Sequence, residues 1–298
     1  MDVTLGMPAV TEIREVADAL AAWQRDGAPV QLHPGDIGWY SSRGPEATAR
    51  ALRTWRRAGD LVAVGLLDGA DLLRLAVRPD ATGDAGLAGA MAADIADPGA
   101  GILPEGEVCL EARGLDLLTR ALLREGWAFG DPWTPLRQDL SRDDAAAPPP
   151  PGLRVVEVGR EEHGAWGGVH WSAFQGTPYG DAERSRFVDR LALLRAGPLG
   201  EGVTLLAAHD ATNAPVAVAG VWSAGPGRPG LVEPMGVHAD HRGKGYGVAI
   251  CRAATARLRD LGCSSAVVVA ESSNEGAVAT YRSAGFTADA EVPDLVRR

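Results

Sequence analysis

The chain has 298 residues, of which 46% are hydrophobic and 23% charged, as in a globular protein with a substantial core. This length allows two domains of ordinary size. The net charge of −10, from 39 acidic and 29 basic residues, argues against a nucleic-acid surface and mildly favours a cationic partner. No apolar run approaches the ~20 residues of a membrane helix. The N-terminus shows no export signal, so we expect a cytoplasmic protein without membrane contact.

Neither the cysteines nor the histidines indicate a metal centre. Cys109, Cys251 and Cys263 lack C-x-x-C spacing, and each lies in or beside an apolar segment. Buried, reduced thiols are therefore expected. The six histidines are scattered, without the spacing of zinc ligands, and we predict no metal site.

The first half of the chain alternates helical and strand-like patterns. Helices are predicted where apolar residues recur at helical spacing, and strands where short apolar runs end at turn residues. In chain order we predict a helix over Thr11–Arg25, a strand-like stretch over Val30–Tyr40 broken by Pro34 and Gly35, a helix over Pro45–Arg57, strands over Leu61–Leu67 and Leu72–Val77, an Ala-rich helix ending at Ile95, a strand over Glu107–Glu111, a helix over Leu115–Glu125 and a closing strand over Trp133–Leu140.

A proline-rich stretch then interrupts the pattern. Residues 143–152 include four consecutive prolines, Pro148 to Pro151, which can neither continue a helix nor pair within a sheet. Such a run favours polyproline II and acts as a semi-rigid linker. We therefore predict two domains, over residues 1–142 and 153–298.

The second half repeats this alternation. In chain order we predict a strand over Leu153–Val158, helices over Glu161–Phe174 and Asp181–Arg195, a hairpin of Val203–His209 and Val216–Ser223, a strand over Leu231–Val237, a helix over Val248–Leu261, a strand over Ala266–Ala270 and a last helix before Gly285.

The turn after the strand Leu231–Val237 carries the clearest functional motif. Its sequence, Arg242-Gly-Lys-Gly-Tyr-Gly247, sets three alternating glycines at a helix entrance. Free backbone N–H groups and the helix dipole favour an anion there. The motif is not a P-loop, and its glycine spacing departs from the Rossmann fingerprint. We predict a cradle for a phosphate or pyrophosphate.

The pattern Arg242-x-x-Gly245-x-Gly247 resembles the pyrophosphate-binding motif of the GNAT N-acetyltransferases. The resemblance extends to the C-terminus through Asn274, Tyr281 and Gly285-Phe286, which follow in the family's order and spacing, although Ala239 stands where the family often has proline. It implies an α/β fold in which helices flank a mixed, mostly antiparallel sheet. It also implies acetyl-CoA as the cofactor.

The resemblance further implies roles for individual residues. Glu233 is the expected general base, and Tyr281 is the expected general acid that protonates the departing thiolate. Their alternatives are a solvated carboxylate at a strand end and a core tyrosine. Asn274 would bind the pantetheine arm, cap the last helix, or do both. The rest of the cofactor would contact Met235, Val237, Arg242, Gly243, Lys244, Gly245 and Gly247, with simple solvation as the alternative for Lys244.

Aromatic residues of the second half are candidates for the acceptor pocket. They lie where the first helices of GNAT enzymes shape that pocket, and an aromatic set can hold a cation. An ordinary core is the alternative, and His170 is also an alternative base. The candidates are Trp166, His170, Trp171, Phe174 and Tyr179.

The two halves also align with one another. Val77 aligned with Val237 gives an offset of 160 residues, and Gly126 aligned with Gly285 gives 159. We predict a duplication whose first copy kept the scaffold and lost the site, as in tandem-GNAT enzymes such as mycothiol synthase. At these offsets Leu73, Thr82, Leu115 and Leu122 lie opposite Glu233, Arg242, Asn274 and Tyr281.

These observations favour an acetyl-CoA-dependent N-acetyltransferase that acts on a primary amine of a small molecule by direct attack in a ternary complex. A protein lysine or N-terminal acetyltransferase and a non-catalytic acyl-CoA-binding regulator are the alternatives. We expect a monomer or homodimer in which the first domain packs on the second and walls the acceptor side.

Overall fold

The computed structural model describes residues 2–141 and 149–298. Helices and strands alternate along these residues, and their thirteen strands form one sheet in which neighbours run mostly antiparallel. This confirms the predicted α/β class with a mixed sheet. The predicted linker, residues 143–152, lies largely outside the described residues, and the domain boundary there stays a prediction.

The first half provides one side of this sheet. Its strands are β1 (Val3–Gly6), β2 (Leu52–Arg57), β3 (Asp60–Leu67), β4 (Leu72–Val77), β5 (Val108–Glu111) and β6 (Ala128–Asp139). Its helices are α1 (Ile13–Trp23), α2 (Pro34–Tyr40), α3 (Pro45–Ala51), α4 (Ala85–Ala96) and α5 (Asp116–Arg124).

The second half provides the other side. Its strands are β7 (Arg154–Glu157), β8 (Val203–His209), β9 (Pro215–Trp222), β10 (Gly230–Val237), β11 (Ser265–Glu271), β12 (Thr287–Ala288) and β13 (Val292–Arg297). Its helices are α6 (His163–Phe174), α7 (Asp181–Ala196), α8 (Tyr246–Asp260) and α9 (Glu275–Ala284).

The halves repeat one order of elements. In the first, β3, β4, α4, β5, α5 and β6 follow one another, and in the second, β9, β10, α8, β11, α9 and β12 do. β4 ends at Val77 and β10 ends at Val237, the two residues whose alignment gives the offset of 160. The element order therefore supports the predicted repeat.

The two halves exchange strands in the middle of the sheet. β6 of the first half pairs along the whole of β11, from Trp133 opposite Glu271 to Asp139 opposite Ser265. In return, the C-terminal strand β13 pairs with β5 of the first half. The N-terminal part of β6 also pairs with β13, so the sheet is continuous from β1 to β7. Each half thus completes its sheet with a strand of the other half.

Two predicted elements of the first half differ from the structure. The stretch Val30–Tyr40 is not a strand, since α2 begins at Pro34, whose fixed φ suits a first helical turn, and the His33 side chain caps it. The helix predicted over Pro45–Arg57 ends at Ala51, because the chain from Leu52 pairs with both β1 and β3. Sheet pairing at a distance overrides local helix propensity there.

Helix α2 joins the halves closely. A Cβ added at Gly35 or Gly38 would lie 2.5 or 2.1 Å from the ring of Trp222 on β9, so only glycine allows this approach. Trp222 also belongs to a buried cluster that contains Val30 of the first half. Among the described residues, no helix is long and apolar enough to cross a membrane.

Candidate functional site

A groove lies where β10 turns into α8. Gly243 and Gly245 have φ of 77° and 80°, values that favour glycine, and Gly245 is the N-cap of α8. A Cβ at Gly247 would lie 2.9 Å from the Thr280 side chain, so glycine is also needed where α8 meets α9. This groove, called the glycine groove below, has a volume of about 580 Å³ and is lined by residues of α6, β10, α8 and α9.

Strands β10 and β11 part at the wall of the glycine groove. Their parallel pairing covers Gly230 and Leu231, while β10 continues to Val237. The N–H of His238 donates to Val216 of β9, and N–H directions alternate along a strand. The N–H groups of Met235 and Val237 therefore point away from β9, towards the opening between β10 and β11. In that direction they can donate to a ligand lying along β10.

The polar residues predicted for the cofactor lie around this groove. Arg242 is exposed, lines the groove and donates a hydrogen bond to the Ala173 carbonyl at 3.1 Å. Lys244 is exposed. Asn274 lines the groove and also caps α9, since its side-chain oxygen accepts from the Ala277 N–H at 3.1 Å. The two roles weighed for Asn274 are therefore compatible in position.

Glu233 and Tyr281 line one cavity, called the Glu233 cavity below, with a volume of about 270 Å³. Met235 and Phe174 line both this cavity and the glycine groove, so the two spaces adjoin. Burial, with smaller contributions from Cys251 and Glu233, raises the pKa of Tyr281 well above its usual range. Its hydroxyl therefore stays protonated and can donate a proton.

Residues 169–286 match the family model of the "Acetyltransferase (GNAT) family". The second half carries a GNAT domain. Such a domain indicates an acyltransferase. A comparison with curated protein sequences gives no match.

Solved structures resemble the chain over its whole length. A tandem GNAT protein from the clavulanic acid biosynthesis pathway has a TM-score of 0.63 at 17% identity, covering 99% of this chain and 98% of that one. A GNAT-family acetyltransferase from Colwellia psychrerythraea has a TM-score of 0.63 at 14% identity, with all of both chains covered. One from Sphaerobacter thermophilus has a TM-score of 0.57 at 17% identity, covering 99% and 95%. These likenesses show that the chain has the tandem-GNAT fold.

Side chains of the first half also line the Glu233 cavity of the GNAT domain. Arg74 of β4 lies 3.6 Å from a Glu233 carboxylate oxygen and 2.8 Å from Asp36 of α2. It also lies 3.2 Å from Glu111, which Arg113 contacts at 2.6 Å. The sequence patterns did not predict this set. An arginine inside the apolar run Leu72–Val77 was the signal that could have revealed it.

Burial shapes the charges of this set. Burial raises the pKa of Asp36 to about 8, against the opposing effect of Arg74. Although burial opposes it, the carboxylates of Glu233, Glu111, Asp36 and Asp68 raise the pKa of Arg74 well above its usual range. Arg74 therefore stays charged beside Glu233, while a proton is retained on Asp36 more readily than on an ordinary carboxylate.

The aromatic candidates lie in different surroundings. Phe174 lines the Glu233 cavity, whereas Trp171 and Tyr179 line a separate cleft of about 480 Å³ next to His238. Trp166 is 1% exposed and donates to the Leu206 carbonyl, as a core tryptophan does.

His170 packs among aromatic rings, with centroids 5.5 Å from Trp39 and 4.8 Å from Phe174. Burial and then Arg190 lower the pKa of His170 to about 4, so it is a weak base. The structure thus brings Phe174 next to Glu233 and Tyr281, and places the other aromatic candidates elsewhere.

The corresponding place in the first half is filled by the protein itself. Asp84 caps α4 by accepting from the Leu87 N–H at 2.9 Å, and Arg57 contacts the same carboxylate at 2.5 Å. The space beside it measures about 10 Å³. Leu73 and Leu122, opposite Glu233 and Tyr281 in the repeat, are both 0% exposed within the core. An anion is thus already supplied where the GNAT domain leaves a groove.

Proposed function

We propose that the protein is an acetyl-CoA-dependent N-acetyltransferase that acetylates a primary amine of a small molecule by direct attack. The observation that carries this proposal is the convergence of Glu233 and Tyr281 on one cavity that adjoins the glycine groove through Met235 and Phe174. A carboxylate and a protonated phenol at one place can remove one proton and supply another.

The glycine groove fits the cofactor. Acetyl-CoA would supply the thioester that the amine attacks. Gly243, Gly245 and Gly247 allow a close backbone approach, and Arg242 has a guanidinium that matches phosphate oxygens. The N–H groups of Met235 and Val237 would hold the pantetheine amides and the thioester oxygen along β10.

Glu233 and Tyr281 would transfer the protons of the reaction. An amine is charged in water and must lose a proton before it attacks, and Glu233 would accept that proton directly or through a water molecule. The thiolate that leaves would take a proton from the Tyr281 hydroxyl, and the second proton that the nitrogen loses as the amide forms would restore that hydroxyl. Since burial keeps Tyr281 protonated, this donor is ready before the reaction begins.

The exposed acid of the Glu233 cavity supports a cationic acceptor. With a pKa of about 8, Asp36 retains a proton at neutral pH and adds no net negative charge. The Glu233 side chain is 35% exposed, against 8% for Asp36 and 7% for Glu111, so an ammonium group of the acceptor would meet the Glu233 carboxylate. Walls from both halves also favour a small molecule over a protein lysine, which needs an open groove.

A thiol-release assay with acetyl-CoA and a panel of acceptors tests the proposal. The panel pairs short diamines with amino alcohols and amino acids of the same length, and includes lysine peptides and free N-terminal peptides. We expect the diamines to give the highest kcat/KM and the amino acids the lowest. Preferential turnover of peptides would favour the protein acetyltransferase alternative, and acetyl-CoA binding without thiol release would favour the regulator.

A further inference from the structure

Glu233 is braced from the first half of the chain by two separate routes. One route is a side-chain path, in which Asp36 contacts Arg74 at 2.8 Å and Arg74 contacts Glu233 at 3.6 Å. The other is a backbone path, in which the Trp222 indole N–H donates to the Glu233 carbonyl at 2.8 Å. That indole packs on the glycines of α2, the helix that also carries Asp36.

Helix α2 is itself fixed to the second half. The Nδ1 atom of His33 accepts from the Gly35 N–H at 2.9 Å, and its Nε2 atom donates to the Pro229 carbonyl at 3.2 Å. Burial lowers the pKa of His33 to about 4, so the ring stays neutral and keeps this tautomer near neutral pH. The position of Asp36 relative to β10 is thereby set by contacts on both sides.

Arg74 has three acidic neighbours from the first half besides Glu233. Asp68 follows β3 and lies 3.7 Å from its Nε atom, Glu111 of β5 lies 3.2 Å from the same atom, and Asp36 lies 2.8 Å from Nη1. Arg113 and Asp294 lie behind Glu111, where they contact each other at 3.6 Å. The Arg74 side chain is 17% exposed, against 35% for Glu233. A largely buried guanidinium therefore faces a more exposed carboxylate.

We infer that Arg74 is a positioning residue for Glu233, so that the half without a cofactor groove orients the base of the GNAT domain. This inference rests on the proposed function. A guanidinium at this place limits the directions that the carboxylate can take. At the repeat position the second half has no arginine of its own, since Pro234 of β10 lies opposite Arg74 at the offset of 160.

The experiment uses the full chain with Arg74→Met, Arg74→Lys and the double variant Asp36→Asn/Arg74→Met, with Arg78→Met as the matched control. Arg78 follows the same strand and pairs with exposed Asp80, away from the cavity. The measurements are acetyl-CoA affinity by calorimetry, Tm, and the pH profile of kcat/KM with the best amine of the panel.

For Arg74→Met we expect unchanged acetyl-CoA affinity, a loss in kcat of about tenfold or more, and an acidic limb of the pH profile moved to higher pH. The limb moves upwards because the variant removes the cation 3.6 Å from the Glu233 carboxylate, and a nearby cation favours the ionised form of a carboxylate. Arg74→Lys should recover part of kcat, and Arg78→Met should stay within about twofold of the wild type.

The double variant separates positioning from charge balance. The double variant removes the acidic side chain of Asp36 together with the Arg74 guanidinium. It should therefore recover the Tm that Arg74→Met loses, without recovering kcat. Recovery of kcat as well, or an unchanged pH profile in Arg74→Met, would overturn the inference while leaving the proposed function intact. Absence of thiol release by the wild type with every amine would instead overturn the proposed function, and this inference with it.

Discussion

The environment of Tyr281 differs from that of an ordinary core tyrosine. It is 5% exposed and packs edge-on against Phe286, yet it lines the cavity that contains Glu233. Burial raises the pKa of Tyr281 well above its usual range, so the hydroxyl is protonated at neutral pH while it faces this cavity.

Tyr281→Phe is therefore expected to lower kcat by about a hundredfold at saturating acetyl-CoA, because the thiolate loses its proton donor. Acetyl-CoA affinity should change little, since the lost hydroxyl acts only as the thiolate leaves. Steady-state kinetics and calorimetry on the same samples measure both quantities. Tyr40→Phe is the matched control, as Tyr40 ends α2 outside the cavity. A fall in affinity with kcat unchanged would make Tyr281 a binding residue.

Glu233→Gln is expected to lower kcat/KM by about a hundredfold near neutral pH and by less at high pH, where the amine deprotonates without help. The pH profiles of kcat/KM for the wild type and the variant measure how the loss decreases at high pH. Glu271→Gln provides a control at another strand end, where the carboxylate is exposed. A loss that is equal at every pH would remove Glu233 from the role of base.

Helices α4 and α8 hold the same place in the repeat, but their N-termini differ. α8 begins at a glycine with φ of 80°, which leaves its first N–H groups open to a ligand. α4 begins at Asp84, whose carboxylate accepts from one of those N–H groups and binds Arg57. Hydrogen bonds from Arg57 first and from the backbone N–H of Leu87 next lower the pKa of Asp84 to about 2, so the carboxylate stays charged at neutral pH.

This difference predicts one acetyl-CoA site per chain. Calorimetry should give a stoichiometry of one, with affinity reduced about tenfold or more by Arg242→Ala and unchanged by Asp84→Ala. Asp84→Ala should lower Tm because α4 loses its N-cap. A lower Tm would show that the substitution acts on α4. Two equivalent sites in the wild type would contradict the view that the first copy lost its site.

The sequence predicted those elements whose signals are local. The glycine turn, Asn274 and Tyr281 lie on one continuous motif, and their positions around the groove and cavity follow from it. Helix α2 was missed because the His33 cap and Pro34 at its start decided it, and strand β2 was missed because it pairs with the distant strand β1 as well as with β3. Arg74 was missed for the same reason, since its partners come from α2, β5 and β10.

In the complete sheet, the exchange of strands makes the halves depend on one another. β6 lies between β11 and β13, and β13 in turn lies beside β5. Removing residues 1–150 would take β6 away from seven paired positions of β11 and expose a long apolar edge in the middle of the sheet. Exposed edges of this kind pair with other chains and aggregate.

A truncated chain that begins at Pro151 is therefore expected to be poorly soluble, and one that begins at Ala128 to be more soluble, because it keeps β6. Light scattering and Tm of the two truncated chains measure the difference. Even the longer one lacks Arg74 and Asp36, so it should bind acetyl-CoA through the glycine groove while turning over its amine about tenfold more slowly or worse than the full chain. A chain beginning at Pro151 that stays monomeric and acetylates as fast as the full chain would show that the first half serves neither the sheet nor the site.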